Sequence, residues 1–394
     1  MATLSQGTAA FVTQGVPVLA GFLQLQFGLS GTQVGLLVTA SSFAPILSLL
    51  LIGDLLDRKP ERSIILSGAG IIALGLLSAG WGSTYSVVLI ALFVVGIGYS
   101  TVQPGGSRSV SIWFRDAQRG TAMGIRQAGL PLGGAIAAAV LPWVTATHGW
   151  QAAFFCSAVV AISGGILFWL AYRPPGQQAR VEARPRLSVA DVLGVLRQPW
   201  MRRIVVSGAA MVGAQYAIVV YLMLFLRDRH GLPLGQGAWL LTVVQVFGAA
   251  GRIVLSMWTD RHARGDRFSA VRTSMQATCG GLLVLLALPQ DVPMGVWLPL
   301  AAWLGFFALG WYGPWVTTIA DSAAKDRVGL ALGAAMTANQ VAIIVVPPAL
   351  GALYDRSGGF GMVWGLVVVW VLAACLIVAK PLRRSPADSP APAP

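Results

Sequence analysis

A polytopic bundle of membrane-spanning helices is the fold class this sequence predicts, and three observations predict it. Hydrophobic residues make up 56% of the 394 residues and the mean hydropathy is +0.72, more apolar surface than a soluble core encloses. Apolar stretches of roughly 20 residues recur along the whole chain, and a helix of that length crosses about 30 Å of bilayer hydrocarbon with its backbone bonded internally. The charged residues, 10% of the total, gather between those stretches. Six of them crowd into the ten positions of GDLLDRKPER, residues 53–62.

Cutting at charge and Gly/Pro clusters yields twelve spans, near 8–28, 33–53, 63–82, 86–108, 120–144, 151–172, 203–226, 236–258, 269–288, 295–319, 329–353 and 360–380. The first starts without a basic segment and small-residue cleavage site, so it is expected to be a retained span. GLSG at 28–31 separates spans one and two, GDLLDRKPER separates two and three, and GST at 82–84 separates three and four. The charges from Arg108 to Arg119 close span four, and HGW at 148–150 divides five from six. In the second half the punctuation is RDRHGLP at 227–233, TDRHARGDR at 259–267, PQDVP at 289–293, DSAAKDR at 321–327 and YDRSGG at 354–359. The expected organisation is a six-helix bundle over 1–173, a cytoplasmic linker over 174–200 with a short surface helix near 187–197, and a second bundle over 201–384. The tail SPADSPAPAP, 385–394, is disordered by composition.

A net charge of +13 in a soluble chain would suggest nucleic acid, but here the arginines sit singly or in small groups between apolar runs, with no basic stripe. They act as topology signals. With the N-terminus in the cytoplasm, 22 of the 27 basic residues fall on the inner side, three (Arg227, Arg229, Arg356) fall outside, and Arg126 and Arg252 lie within spans. The expectation is therefore a multi-pass protein of a bacterial inner membrane with both termini cytoplasmic. Cys156, Cys279 and Cys375 lie in apolar runs without CxxC spacing, so neither disulfide framework nor metal site is expected. No nucleophile and base or metal-ligand cluster marks an enzyme. The partners expected are the lipid bilayer and a small, anionic substrate, with no cofactor, no nucleic acid and a monomeric chain.

The halves repeat. Asp57-Arg58 pairs with Asp260-Arg261, an offset of 203, while Gly124 and Gly333, and Gly149 and Gly358, are 209 apart and Pro104 and Pro314 are 210 apart. On these residues the chain resembles the major facilitator superfamily of secondary transporters. GDLLDRKPER is similar to that family's loop signature G-x-L-x-D-R-x-G-R, through Gly53, Leu55, Asp57, Arg58 and Arg62, with Pro60 where glycine is usual. GIRQAGLPLGG is similar to its span-five Gly/Pro motif, through Gly129, Pro131, Gly133 and Gly134. The resemblance implies two six-helix bundles related by a parallel repeat, working by alternating access. The loop charges Asp57, Arg58, Arg62, Asp260 and Arg261 would latch the cytoplasmic helix ends, where an anion also favours a helix N-terminus. Gly53, Gly129, Pro131 and Gly133 would serve the same gating movement.

An ionisable group within a span costs at least a few kcal/mol and is a functional candidate for that reason. The fourteen acids all fall at span ends, in loops or in tails, so the expected path holds arginine without carboxylate and attracts anions. Arg252, eight residues before Asp260 and hence about 12 Å deep, resembles the span-eight arginine that binds the anion in the oxalate/formate, monocarboxylate and nitrate/nitrite branches, and that resemblance implies that it holds a carboxylate. Gln245 lies two turns earlier on its face. Arg126 shares a helical face with Gly129 and Gly133, and reads either as an interbundle or gating contact or as a snorkelling arginine. The remaining candidates line the family's cavity spans: Gln14; Tyr99 and Gln103; Gln215, Tyr216 and Tyr221; Trp311, Tyr312 and Trp315; Asn339 and Gln340. Leu49 and Leu92 stand where arginines mark the nitrate/nitrite and many proton-coupled branches, which disfavours nitrate and side-chain-driven proton symport. The expected function is transport of a small organic anion, with export of amphiphilic, drug-like compounds as the alternative.

Overall fold

The structure, a computed structural model, describes residues 1–113, 116–173, 189–262, 268–324 and 327–379. Among these residues the regular structure is entirely helical: α1 (Ala2–Phe27), α2 (Gly31–Arg58), α3 (Glu61–Trp81), α4 (Tyr85–Tyr99), α5 (Val102–Trp113), α6 (Asp116–Ala171), α7 (Val189–Leu196), α8 (Pro199–His230), α9 (Leu234–His262), α10 (Phe268–Ala287), α11 (Met294–Gly310), α12 (Tyr312–Ser322), α13 (Val328–Ser357) and α14 (Phe360–Ile377). α7 falls within 187–197, the stretch where a short surface helix is expected. Most of the expected linker, and the tail, lie outside the described residues.

Among the described residues ten segments are long and apolar enough to cross a membrane. One of them, Ile125–Ala171, is 47 residues long and makes two passes, because Gly149 interrupts α6 with φ +84°. Positive φ is open to glycine and strained for other residues. Spans five and six are thus two helices that meet at Gly149 with almost no loop between them, at the HGW boundary where the sequence divides them. The 28 residues of α2 complete the twelve passes.

The repeat is visible in the backbone. Pass four is split into α4 and α5 at Ser100, and pass ten into α11 and α12 at Trp311. Both residues keep right-handed dihedrals, φ −59°, ψ −19° and φ −59°, ψ −22°, so each pass bends without ending. The two bends stand about 210 residues apart, the offset of Pro104 and Pro314, as a parallel repeat requires.

In the first bundle α1 and α3 pack along α6, and α2 and α3 along α4; in the second α11 packs on α9 and α10, and α8 on α13 and α14. The bundles meet along two seams, α2 on α13 and α6 on α9. Lipid tails are as apolar as leucine, so close backbone approach has to supply what water exclusion supplies in a soluble core. Gly133 of α6 accordingly faces the Gly7 backbone of α1, where a side chain has no room. Large apolar residues such as Trp81, Leu74, Trp143 and Leu376 point outward, which is a lipid-facing surface and not a patch on a soluble one.

Candidate functional site

The seam between α2 and α13 is closed at the Gly31 end. Ser30 caps α2 with a reciprocal box: its hydroxyl accepts from Gln33 N, and Gln33 Oε1 accepts from Ser30 N. The next free donors of that helix are taken from the other bundle, since Gly31 N donates to Asp355 Oδ1 at 2.6 Å and Thr32 N to Asp355 Oδ2 at 2.9 Å. The Thr32 hydroxyl donates to the same oxygen at 2.6 Å. A carboxylate at a helix N-terminus satisfies both the orphan N–H groups and the dipole. Tyr221 adds a crosslink, its hydroxyl donating to the carbonyls of Pro347 at 2.5 Å and Gly31 at 3.2 Å. Further along, Thr39 donates to Ile344 O at 2.6 Å and Gln340 to Ser42 O at 2.7 Å. Beside this seam Arg227 of α8 bonds both Asp228 and Gln24 of α1, and Tyr354 bonds Asp228.

The second seam carries the arginines. Arg252, near the middle of α9 and 5% exposed, donates from Nε to Leu309 O at 3.1 Å. That carbonyl lies one turn or less from the Trp311 bend, where the helical ladder is interrupted and acceptors become available. Its Nη1 crosses the seam to Gln127 O of α6, also at 3.1 Å, and the guanidinium lies 5.2 Å from the centre of the Tyr312 ring, a cation–π distance. Arg126, next to Gln127 and 1% exposed, is held within its own bundle. Its Nη2 donates to Gln6 Oε1 at 2.9 Å, Gln103 Oε1 at 3.0 Å and the carbonyls of Val102 and Gln103 at 3.2 and 3.0 Å.

Every acceptor of these two cations is neutral. Among the described residues neither has a carboxylate partner, and the one well-buried acid there, Glu61, sits in the first turn of α3. Gln245 bridges the seam to Gln14 at 3.3 Å, and Gln6 reaches Tyr99 at 3.4 Å. Tyr99 and Tyr312 lie within electrostatic reach of both guanidinium groups, and Tyr216 faces Gln14 and Arg252. Eight of the predicted residues, Gln14, Tyr99, Gln103, Arg126, Tyr216, Gln245, Arg252 and Tyr312, therefore meet in one constellation drawn from both bundles.

Gln6 belongs to it and is absent from the sequence-based list, which begins span one at residue 8. The signal was present, because Gln6 and Gln14 are eight residues apart on one face of α1. Of the other predicted residues, Trp311 and Trp315 border the constellation through the Tyr312 ring, each with its ring centre 5.7 Å away, and the rest lie elsewhere. Gln215 is buried on α8 beside Tyr216. Trp311 and Trp315 stack edge to face at 5.5 Å, and Trp315 donates to Ile204 O. Asn339 is buried near Gly208 and Trp315, with both amide atoms lacking a partner. Tyr221 and Gln340 work in the first seam. Gly129, Pro131 and Gly133 are buried, with Gly129 and Gly133 against α1. Of the expected latch, the side-chain positions at Gly53, Asp57, Arg58 and Asp260 lie outside the described residues, Arg261 is exposed, and the Arg62 guanidinium lies 5.7 Å from the centre of the Trp169 ring.

Comparison with known proteins agrees with this architecture. An uncharacterized MFS-type transporter of Mycobacterium tuberculosis is 29% identical, over 94% of this chain and 81% of the relative. The "probable sulfoacetate transporter" of Cupriavidus necator is 23% identical over 88% of this chain and 84% of its own. A bacterial homolog of the human lysosomal transporter Spinster, solved inward-facing and occupied, superposes with a TM-score of 0.78 over 100% of this chain and 98% of that one, at 16% identity, which is a likeness of fold. The Major Facilitator Superfamily profile matches residues 2–347, in keeping with twelve passes in two repeated bundles, and the chain belongs to that superfamily of membrane transporters.

Proposed function

We propose that this protein carries a small organic anion across a bacterial inner membrane by alternating access. One observation carries the reading: each bundle contributes a buried arginine with only neutral acceptors around it, Arg252 crossing the seam to Gln127 O and Arg126 next to Gln127 in α6. Two cations in a low-dielectric interior are costly unless an anion joins them, and a transported anion is the one partner that comes and goes. Tyrosine hydroxyls and glutamine amides add the neutral donors that orient such a ligand. The sulfoacetate carrier among the relatives supports an anionic cargo. The positive-inside bias puts the closed Gly31 end on the outer face and the arginine-rich loops in the cytoplasm, so the arrangement described is closed to the outside. The latch charges Asp57, Arg58, Arg62, Asp260 and Arg261 would close the inner end when the outer one opens.

The test is uptake by proteoliposomes of a labelled carboxylate and sulfonate panel, with Arg252→Lys and Arg252→Ala beside the native protein. Lysine keeps the charge but loses the planar fork, so uptake is expected to fall about tenfold or more while the protein still inserts and folds. Normal transport by Arg252→Ala, or uptake confined to neutral and amphiphilic compounds, would remove the anion reading.

A further inference from the structure

The hydrogen-bond inventory of the two arginines is incomplete in a particular way. Arg126 uses Nη2 for all four of its bonds; its Nε is buried without an acceptor, and among the described residues Nη1 has none either. Arg252 uses Nε and Nη1 and leaves Nη2 unpaired among the same residues. Each cation thus keeps terminal N–H donors in reserve although each is more than nine-tenths buried. Arginine side chains so enclosed ordinarily spend their donors on protein acceptors. Arg252 bonds the backbone carbonyl of Gln127, the residue that follows Arg126, and Tyr99 and Tyr312 lie within electrostatic reach of both cations.

Resting on the anion reading above, we infer that the cargo is a dianion whose two acidic groups, carboxylate or sulfonate, sit one on Arg126 and one on Arg252. Charge decides this. A monoanion placed between them neutralises one guanidinium and leaves the other a buried charge with no counterion, which is the costly arrangement. A dianion leaves the interior neutral. Geometry adds a consequence. Arg126 is tied only to α1 and α5, whereas Arg252 is tied to α11 and, through Gln127, to the opposite bundle. A ligand with an anionic group at each end would join the bundles through itself and take over the bridging task of the Arg252–Gln127 bond. A singly charged ligand engages one bundle and has no such hold.

Binding by the purified full-length protein tests this. Malonate, succinate and glutarate are compared with their half-amides malonamate, succinamate and glutaramate, at a pH well above carboxyl titration. Each half-amide keeps size and shape and loses one charge. Dissociation constants from ligand-dependent thermal stabilisation are expected to favour the best dianion over its half-amide by about tenfold or more. In Arg126→Gln the ratio is expected to collapse towards one, and in Arg126→Lys to be largely restored. A half-amide that binds as tightly as its parent dianion in the native protein overturns the inference whatever the variants do. Equal weakening of both ligands by Arg126→Gln overturns it too, because Arg126 would then be a brace for α1 and α5. Absence of binding by every member of both series, with a neutral amphiphile binding instead, would remove the anion reading as well as this refinement of it.

Discussion

Between α2 and α13 the two bundles meet backbone to backbone, with Gly31 against Gly351 and an aspartate of one bundle capping a helix of the other. Between α6 and α9 they meet through guanidinium and amide groups that leave donors unspent. The first seam is saturated: Gly31 N, Thr32 N, the Thr32 hydroxyl and, through the Gly31 carbonyl, the Tyr221 hydroxyl all find acceptors across it. The second holds two cations and few crossing bonds, Arg252 to Gln127 and Gln245 to Gln14. One seam closes on itself, and in the proposed reading the other is completed by the cargo. In a carrier that division of labour is useful, because a gate has to shut without the cargo and a binding site has to lose energy without it.

If that contrast is right, the two seams respond differently to substitution. The largest effect is expected from Gly351→Val, since any Cβ there runs into the Gly31 backbone and the helices cannot close. Spin labels at Gln33 and Arg356 should then report a widened outer end, with transport lost by more than about tenfold. An unchanged distance distribution would show that the backbone contact is not what shuts this end. Asp355→Asn comes next: it keeps one acceptor but loses the charge that favours the α2 N-terminus, worth about 1 kcal/mol at an exposed site, or roughly a fivefold shift towards the open outer end. The same labels measure that shift, while anion affinity in the closed-outside state should stay within about twofold. The smallest effect belongs to the second seam. Gln245→Ala removes one long amide bond, so ligand affinity is expected to weaken by about two- to fourfold with the outer distances unaltered. A large movement of the outer labels in Gln245→Ala would erase the distinction between the seams.

The difference between the seams also explains why one was more legible than the other. Arg126 and Arg252 stand out in a sequence because an arginine in an apolar run is expensive wherever its helix ends up. Asp355 does not stand out. It sits in YDRSGG, where an acid needs no explanation, and its role depends on α13 lying against the first turn of α2, 323 residues away in the chain. The capping box of Ser30 and Gln33 could have been found from its spacing, whereas the acceptor for the next two donors could not. Gly149 was visible as the boundary between spans five and six, whereas its positive φ, which lets the turn be so short, is a backbone property that a hydropathy pattern does not show.

What the sequence determined by itself is everything that follows from the bilayer as solvent: twelve passes, their alternation, the parallel repeat, and the isolation of two arginines among neutral residues. These are consequences of local composition, since a backbone in hydrocarbon bonds within its own helix and each pass is therefore readable alone. Only the tertiary structure decided which way the arginines turn and whom they touch. Arg126 could have snorkelled, and Gly129 and Gly133 on its face could have met the opposite bundle; instead that face packs on α1, and Gln6 and Gln103 hold the guanidinium inside. Helix rotation in a bundle is set by packing between helices, a property of pairs of surfaces that no single apolar run encodes.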